Sequence, residues 1–132
     1  MAYLKPPKFT SKIFNPIAAS TGIGGSENLT VRGRNTGAPQ SIPVIPVEVT
    51  GVRYLVSTRG ESEWVRNLRA DPTAVVSNKS GATTYRASEL PVSERAPVIA
   101  AYREKAGKQV RGYWAKLPED ADHPVFALTT AQ

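Results

Sequence analysis

Residues 29–49, LTVRGRNTGAPQSIPVIPVEV, and residues 51–76, GVRYLVSTRGESEWVRNLRADPTAVV, decide the fold. Leu29 and Val31 alternate with Thr30 and Arg32, the period of a half-buried strand, and NTGAP supplies turn chemistry after it. Ile42, Val44, Val47 and Val49 rebuild an extended segment. Pro43 and Pro46 remove backbone donors from that segment, which implies an edge, a bulge or a strand exposed on one side. Thr50 and Gly51 make a tight connection and VRYLVS continues the sheet. Strands joined by such short turns predict an antiparallel meander. In TRGESEWVRNLRADP, Trp64, Val65 and Leu68 share one side of a short helix, Arg66 and Arg69 take the more polar side, and Asp71-Pro72 ends it.

Working outward, residues 73–78 and 83–90 predict a hairpin around Lys79, Ser80, Gly81 and Ala82, with Val75, Val76 and Tyr85 packing. Ser93 is a candidate N-cap for a helix running to about Lys105, with Gly107 as its terminator. KQVRGYWAKLPEDAD carries no clear assignment, and HPVFALTT alternates like a closing strand. Residues 1–27 divide into an arm, in which Phe9, Ile13 and Ile17 share a helical face opened by Pro6 and Pro7, and a Gly-rich tether, TGIGGS. The tether has no βαβ unit around it, so it is no dinucleotide fingerprint. The expected organisation is this arm followed by one domain over residues 28–132, a small antiparallel barrel with two or three helices at its margins.

Composition bounds the chemistry. At 132 residues, 40% hydrophobic and 21% charged, the chain suits one folded domain with a modest core. It has no cysteine, which removes disulfides, thiol catalysis and Cys-based metal sites and favours a cytoplasmic address. The net charge of +6 calls for an anionic partner without choosing among nucleic acid, lipid headgroups and small anionic molecules. The basic residues form no long run, and no apolar stretch approaches the roughly 18 residues that a membrane span needs. The arm either packs across one end of the barrel or docks on a membrane surface or on the substrate mouth.

Two turns are competent to hold an anion. In GRNTGAP, Arg34 offers a planar set of donors and Gly37 lets the chain turn so that nearby amides face the same anion. In STRGESEW a strand ends and a helix begins, so Ser57, Thr58, Arg59, Gly60 and the following amides form a phosphate-competent start. Either alone would look like an ordinary hairpin or helix entrance; the two together, flanking adjacent strands, carry the weight. Trp64 supplies an aromatic wall and Asn67, one turn on, a hydrogen-bonding amide. With one histidine, no cysteine and no clustered carboxylates, a borrowed reactive group explains this pocket better than side-chain catalysis does. His123, beside Pro124, reads as a strand-end residue rather than an acid–base group.

The arrangement G-R-x-T-G-x-P, a Pro-interrupted strand, V-S-x-R-G, W-x-x-N-L-R-A-D-P and a terminal P-V-F-x-L resembles the deazaflavin-dependent nitroreductase and quinone reductase family. That resemblance covers about residues 29–90 plus the last strand. It implies a mainly β, α+β fold: an antiparallel split β-barrel like those that bind FMN. It also implies the reduced 5-deazaflavin coenzyme F420, a hydride carrier with an anionic lactyl-phosphate and oligoglutamate tail, and a quinone, activated enone or nitroaromatic as the small-molecule acceptor. Carried onto this chain, Arg34, Asn35, Thr36, Gly37 and Gln40 would meet the coenzyme's tail. Ser57, Thr58, Arg59 and Gly60 would meet its phosphate or ring edge, Pro43 would lie on the strand beneath the ring, and Trp64 and Asn67 would complete the pocket. Tyr113 is the candidate proton donor or stacking residue for the acceptor.

This chain departs from the family where a second basic residue commonly follows the Arg and another follows the Pro; Asn35 and Gln40 stand there. The rival readings are a non-catalytic carrier of F420, a fatty acid or a haem-type ligand, and an FMN-dependent oxidase of the related barrel class. No nucleic-acid partner is expected, and the assembly is a monomer or a homodimer.

Overall fold

The computed structural model describes residues 26–130. The reading of the arm and the Gly-rich tether therefore falls almost wholly outside the described residues. Seven strands form one antiparallel sheet: β1 (Glu27–Arg32), β2 (Pro39–Val44), β3 (Val47–Val49), β4 (Val52–Val56), β5 (Thr73–Asn78), β6 (Gly81–Glu89) and β7 (Val125–Thr130). Three α-helices lie among the described residues, α1 (Glu63–Ala70), α2 (Ala96–Ala106) and α3 (Lys108–Lys116), with short 3-10 turns at Val92–Glu94 and Asp120–Asp122.

The strand order β2-β1-β5-β6-β7-β4-β3 puts β2 and β3 at opposite edges of the sheet. Only Ile45 and Pro46 separate them in sequence. Three peptide steps span at most about 11 Å, so the two edges must come together and the sheet must curl. The split in the barrel runs along the prolines: neither Pro43 nor Pro46 has an N–H to give, so the two edges meet without pairing into a ladder. The edge reading of this segment thus holds, while the meander does not. β1 pairs with β2 and β3 with β4, but β2 and β3 diverge, and β4 pairs with β7. The C-terminal strand closes the barrel between β6 and β4.

Strand alternation feeds two cores. Inside the barrel lie Leu29, Val31, Leu55, Val76, Phe126 and Leu128, joined by Val65 and Leu68 from α1. Outside it, Val47, Val56 and Val125 pack against Val98, Ile99 and Tyr102 of α2 and Val110 and Trp114 of α3. Leu55 and Val56 are neighbours on β4 and so serve opposite cores, as do Val125 and Phe126 on β7.

Three local expectations are revised. The β5–β6 hairpin turns on Lys79 and Ser80 alone, because Gly81 and Ala82 already pair with Asn78 and Ser77. The helix expected from Ser93 begins at Ala96, with Pro97 in its first turn, where the missing N–H costs nothing. The delay arises because Arg95 is buried and its guanidinium bonds the carbonyls of Leu90 and Ala121 and the carboxylate of Glu89. Gly107 ends α2 at φ +64, as expected. The unassigned stretch after it is a helix, held by Val110 and Trp114 one turn apart on its buried side.

Candidate functional site

The loop between β4 and α1 is built by its own serines. Ser57, 1% exposed, gives its N–H to the Pro124 carbonyl at 2.9 Å and its hydroxyl to the Gly60 carbonyl at 2.7 Å. Since the single Ser57 proton is spent there, the 3.4 Å contact between the Ser57 and Ser62 hydroxyls uses the proton of Ser62. Ser62 is the N-cap residue of α1, yet it makes no side-chain cap bond. The first turn of α1 therefore keeps its amides uncapped by its own N-cap side chain, next to Gly60 at φ +81.

Arg59 stands in this loop. Its Nη2 donates to the Tyr113 hydroxyl at 2.9 Å, and its guanidinium carbon lies 5.0 Å from the centroid of the same ring. Tyr113 is half-buried on α3, so this contact ties the loop to that helix. The hydroxyl oxygen accepts from Arg59, and a guanidinium has no acceptor to offer in return. The Tyr113 proton is thereby left to point elsewhere.

The β1–β2 turn forms the second element. It closes through Gly33 N–H to the Ala38 carbonyl and Gly37 N–H to the Gly33 carbonyl, both at 2.8 Å, with Gly37 at φ +78. Arg34 docks onto Asn67 of α1. The Asn67 Oδ1 accepts from the Arg34 backbone N–H at 3.0 Å and from its Nη1 at 2.8 Å, and Asn67 Nδ2 donates to Gln40 Oε1 at 3.1 Å. The backbone donor fixes which way round the Asn67 amide sits. Arg34 Nη1 also lies 2.9 Å from Glu63 Oε1.

The structure thus brings Arg34, Gln40 and Asn67 into one network, and Ser57, Thr58, Arg59 and Gly60 into a loop that meets Tyr113. Both converge on the first turn of α1, whose first residue is Glu63. Asn35, Thr36 and Gly37 lie on the exposed crest of the turn, and Pro43 is exposed on edge strand β2 opposite Asn28. Trp64 is half-buried against the barrel core, its ring 5.8 Å from that of Phe126.

Sequence reasoning missed Ser62, Glu63 and the part played by His123. An acidic residue in a first helical turn reads as ordinary helix chemistry, which hid the pairing of Glu63 with Arg34. His123 is fully buried, its ring stacked on Trp114 at 4.0 Å between centroids, with Nδ1 2.8 Å from the Ser57 carbonyl and Nε2 2.6 Å from the Leu117 carbonyl. It is the brace between the loop and the end of α3, and its partners lie 66 and 6 residues away, out of reach of any local motif.

Fold and site together define a split β-barrel protein with an arginine-bearing loop at a helix start. The F420H(2)-dependent quinone reductase family matches residues 20–127, most of the chain, and the chain belongs to that family. Among solved structures, one described as a domain-swapped dimer is 25% identical, with a TM-score of 0.64 and 80% of each chain covered. An F420-H2 dependent reductase (FDR-A) is 23% identical, with a TM-score of 0.62 over 92% of this chain and all of its own. The haem storage protein HutZ from Vibrio cholerae is 17% identical, with a TM-score of 0.63 over 88% of each chain. The last two are likenesses of fold. No curated protein gives a significant match.

The residues present fit an anionic deazaflavin on an observation independent of that membership. Among the described residues the N-cap side chain of Ser62 makes no cap bond, and Gly60, buried at φ +81, and Arg59 precede it in the same loop. No helix of the described residues is long and apolar enough to cross a membrane.

Proposed function

We propose that this chain is a reductase that uses reduced F420 to reduce a quinone, an activated enone or a nitroaromatic compound. The observation that carries the reading is the uncapped first turn of α1 beside Gly60 and Arg59, a phosphate-competent corner at the mouth of a split barrel. When bound, F420 supplies a transferable hydride.

The chain's own residues bind, orient and exclude water. Thr58, Arg59, Gly60 and the amides that follow hold the phosphate, with Ser57 fixing the loop through the Gly60 carbonyl. Arg34, Asn35, Thr36, Gly37, Gln40 and Asn67 form the rim on the tail side, and Pro43 belongs to the strand beneath the ring. Trp64 backs the barrel wall. Tyr113, held through its oxygen by Arg59, directs its hydroxyl proton away from the guanidinium and can give it to a reducing acceptor. The proposed domain spans residues 28–132, preceded by the arm.

The test mixes purified protein with reduced F420 and menadione and follows the loss of reduced-coenzyme absorbance, with a nitroaromatic and an enone in parallel. Turnover of any acceptor supports the proposal. Tight coenzyme binding with no turnover makes the protein a carrier, and copurified FMN with no F420 binding moves it to the FMN-dependent class.

A further inference from the structure

The positive charge of the chain is gathered in one place. Residues 103–116 hold five basic side chains and one acidic one, and so four of the six net charges. They span the end of α2 and the whole of α3. Val110 and Trp114 face the core, which turns Lys108, Arg111 and Lys116 outward with Gly112 and Ala115 between them, all five exposed. That outward face carries three cations and no carboxylate. Beside it lies a groove of about 480 Å³ shared by the two helices, lined by Arg103, Lys108 and Arg111 with Glu104 as its one acid. Among the described residues, Arg103, Lys108, Arg111 and Lys116 enter no ion pair. Arg103 rests on the Trp114 ring, its guanidinium carbon 5.1 Å from the centroid, and Lys105 donates to the Pro46 carbonyl.

Magnitude chooses the partner. A single small anion gains little from exposed cations, because each such pair is nearly balanced by lost hydration and side-chain freedom. A lipid surface offers many anionic headgroups at once, and every Lys or Arg brought to it adds roughly 5-fold in affinity. Val92, which precedes α2, is the one large hydrophobic side chain exposed among the described residues, so neither α2 nor α3 has a side chain to sink into the acyl layer. The contact is electrostatic. At Gly112 nothing stands within 4 Å of where a Cβ would be, and the flanking Ala115 is short, so the outward face is low enough for a headgroup plane to meet its cations together. We propose that the outward face of α3, with the adjoining groove, docks on anionic phospholipid headgroups. The inference stands apart from the functional reading. Tyr113 is on the same helix, so docking holds the candidate site within about one helix diameter, ~10 Å, of the lipid.

The experiment is cosedimentation of the full chain with vesicles of phosphatidylcholine, pure or containing about one-third phosphatidylglycerol, without any deazaflavin present. The wild-type protein should bind the mixed vesicles, leave the pure ones, and be released by about 0.5 M salt, where screening shortens the reach of surface charge. Combining Lys108→Gln, Arg111→Gln and Lys116→Gln, all at exposed positions, should weaken binding roughly 100-fold. Arg32→Gln, Lys79→Gln and Arg86→Gln together remove the same charge from β1, the β5–β6 turn and β6, and should weaken it less than about 5-fold. Circular dichroism confirms that both triple variants fold. Failure of the wild-type protein to bind mixed vesicles overturns the inference. So does equal loss in the two triple variants, which would make net charge alone responsible, or binding retained by the α3 variant, which would put the contact elsewhere on the chain. Tighter binding to soluble polyglutamate than to mixed vesicles, at equal concentration of negative charge, would make the partner an acidic polypeptide and overturn the lipid assignment.

Discussion

Replacing Asn67 by alanine tests the network that seats the β1–β2 turn on α1. Asn67 is 1% exposed and makes three hydrogen bonds, at 3.0 and 2.8 Å to Arg34 and 3.1 Å to Gln40. The three losses are not equal. Arg34 Nη1 keeps Glu63 and its side chain is 25% exposed, and Gln40 is exposed, so water replaces much of what both lose. The Arg34 backbone N–H is less easily rehydrated, and the truncated side chain leaves a small cavity. Taking about 1 kcal/mol for that donor and a similar amount for the other two bonds and the cavity together gives about 2 kcal/mol. For a domain of this size that is a fall in Tm of roughly 6–10 °C. Urea unfolding followed by circular dichroism gives the free energy from the shifted midpoint, provided the slope is unchanged. Asn67→Leu, which fills the space but restores no acceptor, should be as unstable as the alanine variant, whereas Asn67→Asp keeps the acceptor for Arg34 and should recover at least half the loss. If both the alanine and leucine variants unfold within about 0.5 kcal/mol of the wild-type protein, the turn is not held by this network.

Tyr113→Phe keeps a ring beneath the Arg59 guanidinium but removes the hydroxyl; F420 affinity should change less than about 3-fold while kcat with menadione falls about 10-fold or more, and an equal fall in affinity would make Tyr113 a binding residue only. His123→Phe preserves a ring against Trp114 and loses both carbonyl contacts, so it should cost about 2–3 kcal/mol in urea unfolding. The Arg69 guanidinium, hydrogen-bonded to Glu61, holds that carboxyl below its usual 4.5. A depressed folded value stabilises above the unfolded value and is lost as pH falls through the folded one, so the urea midpoint should hold steady above about pH 5 and decline in acid. Glu61→Gln should flatten that decline; an unchanged acid profile would refute the pairing.

What was legible in the sequence is what local periodicity encodes. Leu29 and Val31, Val65 and Leu68, and Phe126 and Leu128 announce a buried face through spacing alone, and each is in the core. Gly37, Gly51, Gly60 and Gly107 sit at positive φ and mark turns or a helix end. Opaque features depend on partners distant in sequence. Pro43 and Pro46 said that a strand lacked donors, but not that Val44 and Val47 belong to opposite edges of the sheet, because edge identity is set by how β1 and β4 pair elsewhere. Trp114 lies in the stretch that carried no assignment; it is 4% exposed, and Gly112 and the lysines around it had masked the helical spacing from Val110. Arg34 was legible as a cation and Glu63 as a helix-start acid, yet their pairing arises only when the turn folds over α1.

The same barrel in a haem storage protein raises the question of which features of this chain select its ligand. Haem iron is commonly held by imidazole, thiolate, thioether or phenolate. The chain has one histidine and no cysteine. That histidine is fully buried, and both of its nitrogens are engaged by carbonyls at 2.8 and 2.6 Å. To reach an iron it would have to abandon the Ser57 and Leu117 carbonyls together and unstack from Trp114, undoing the brace that holds the 57–62 loop. Imidazole ligation and an intact 57–62 loop are therefore alternatives in this sequence, and the fold keeps the loop. Of the oxygen ligands, Tyr113 is at the site, but its hydroxyl is already the acceptor for Arg59. The imidazole and the Tyr113 phenol are therefore both committed to positioning the 57–62 loop, and a haem in this barrel would need an axial ligand other than these two as they stand.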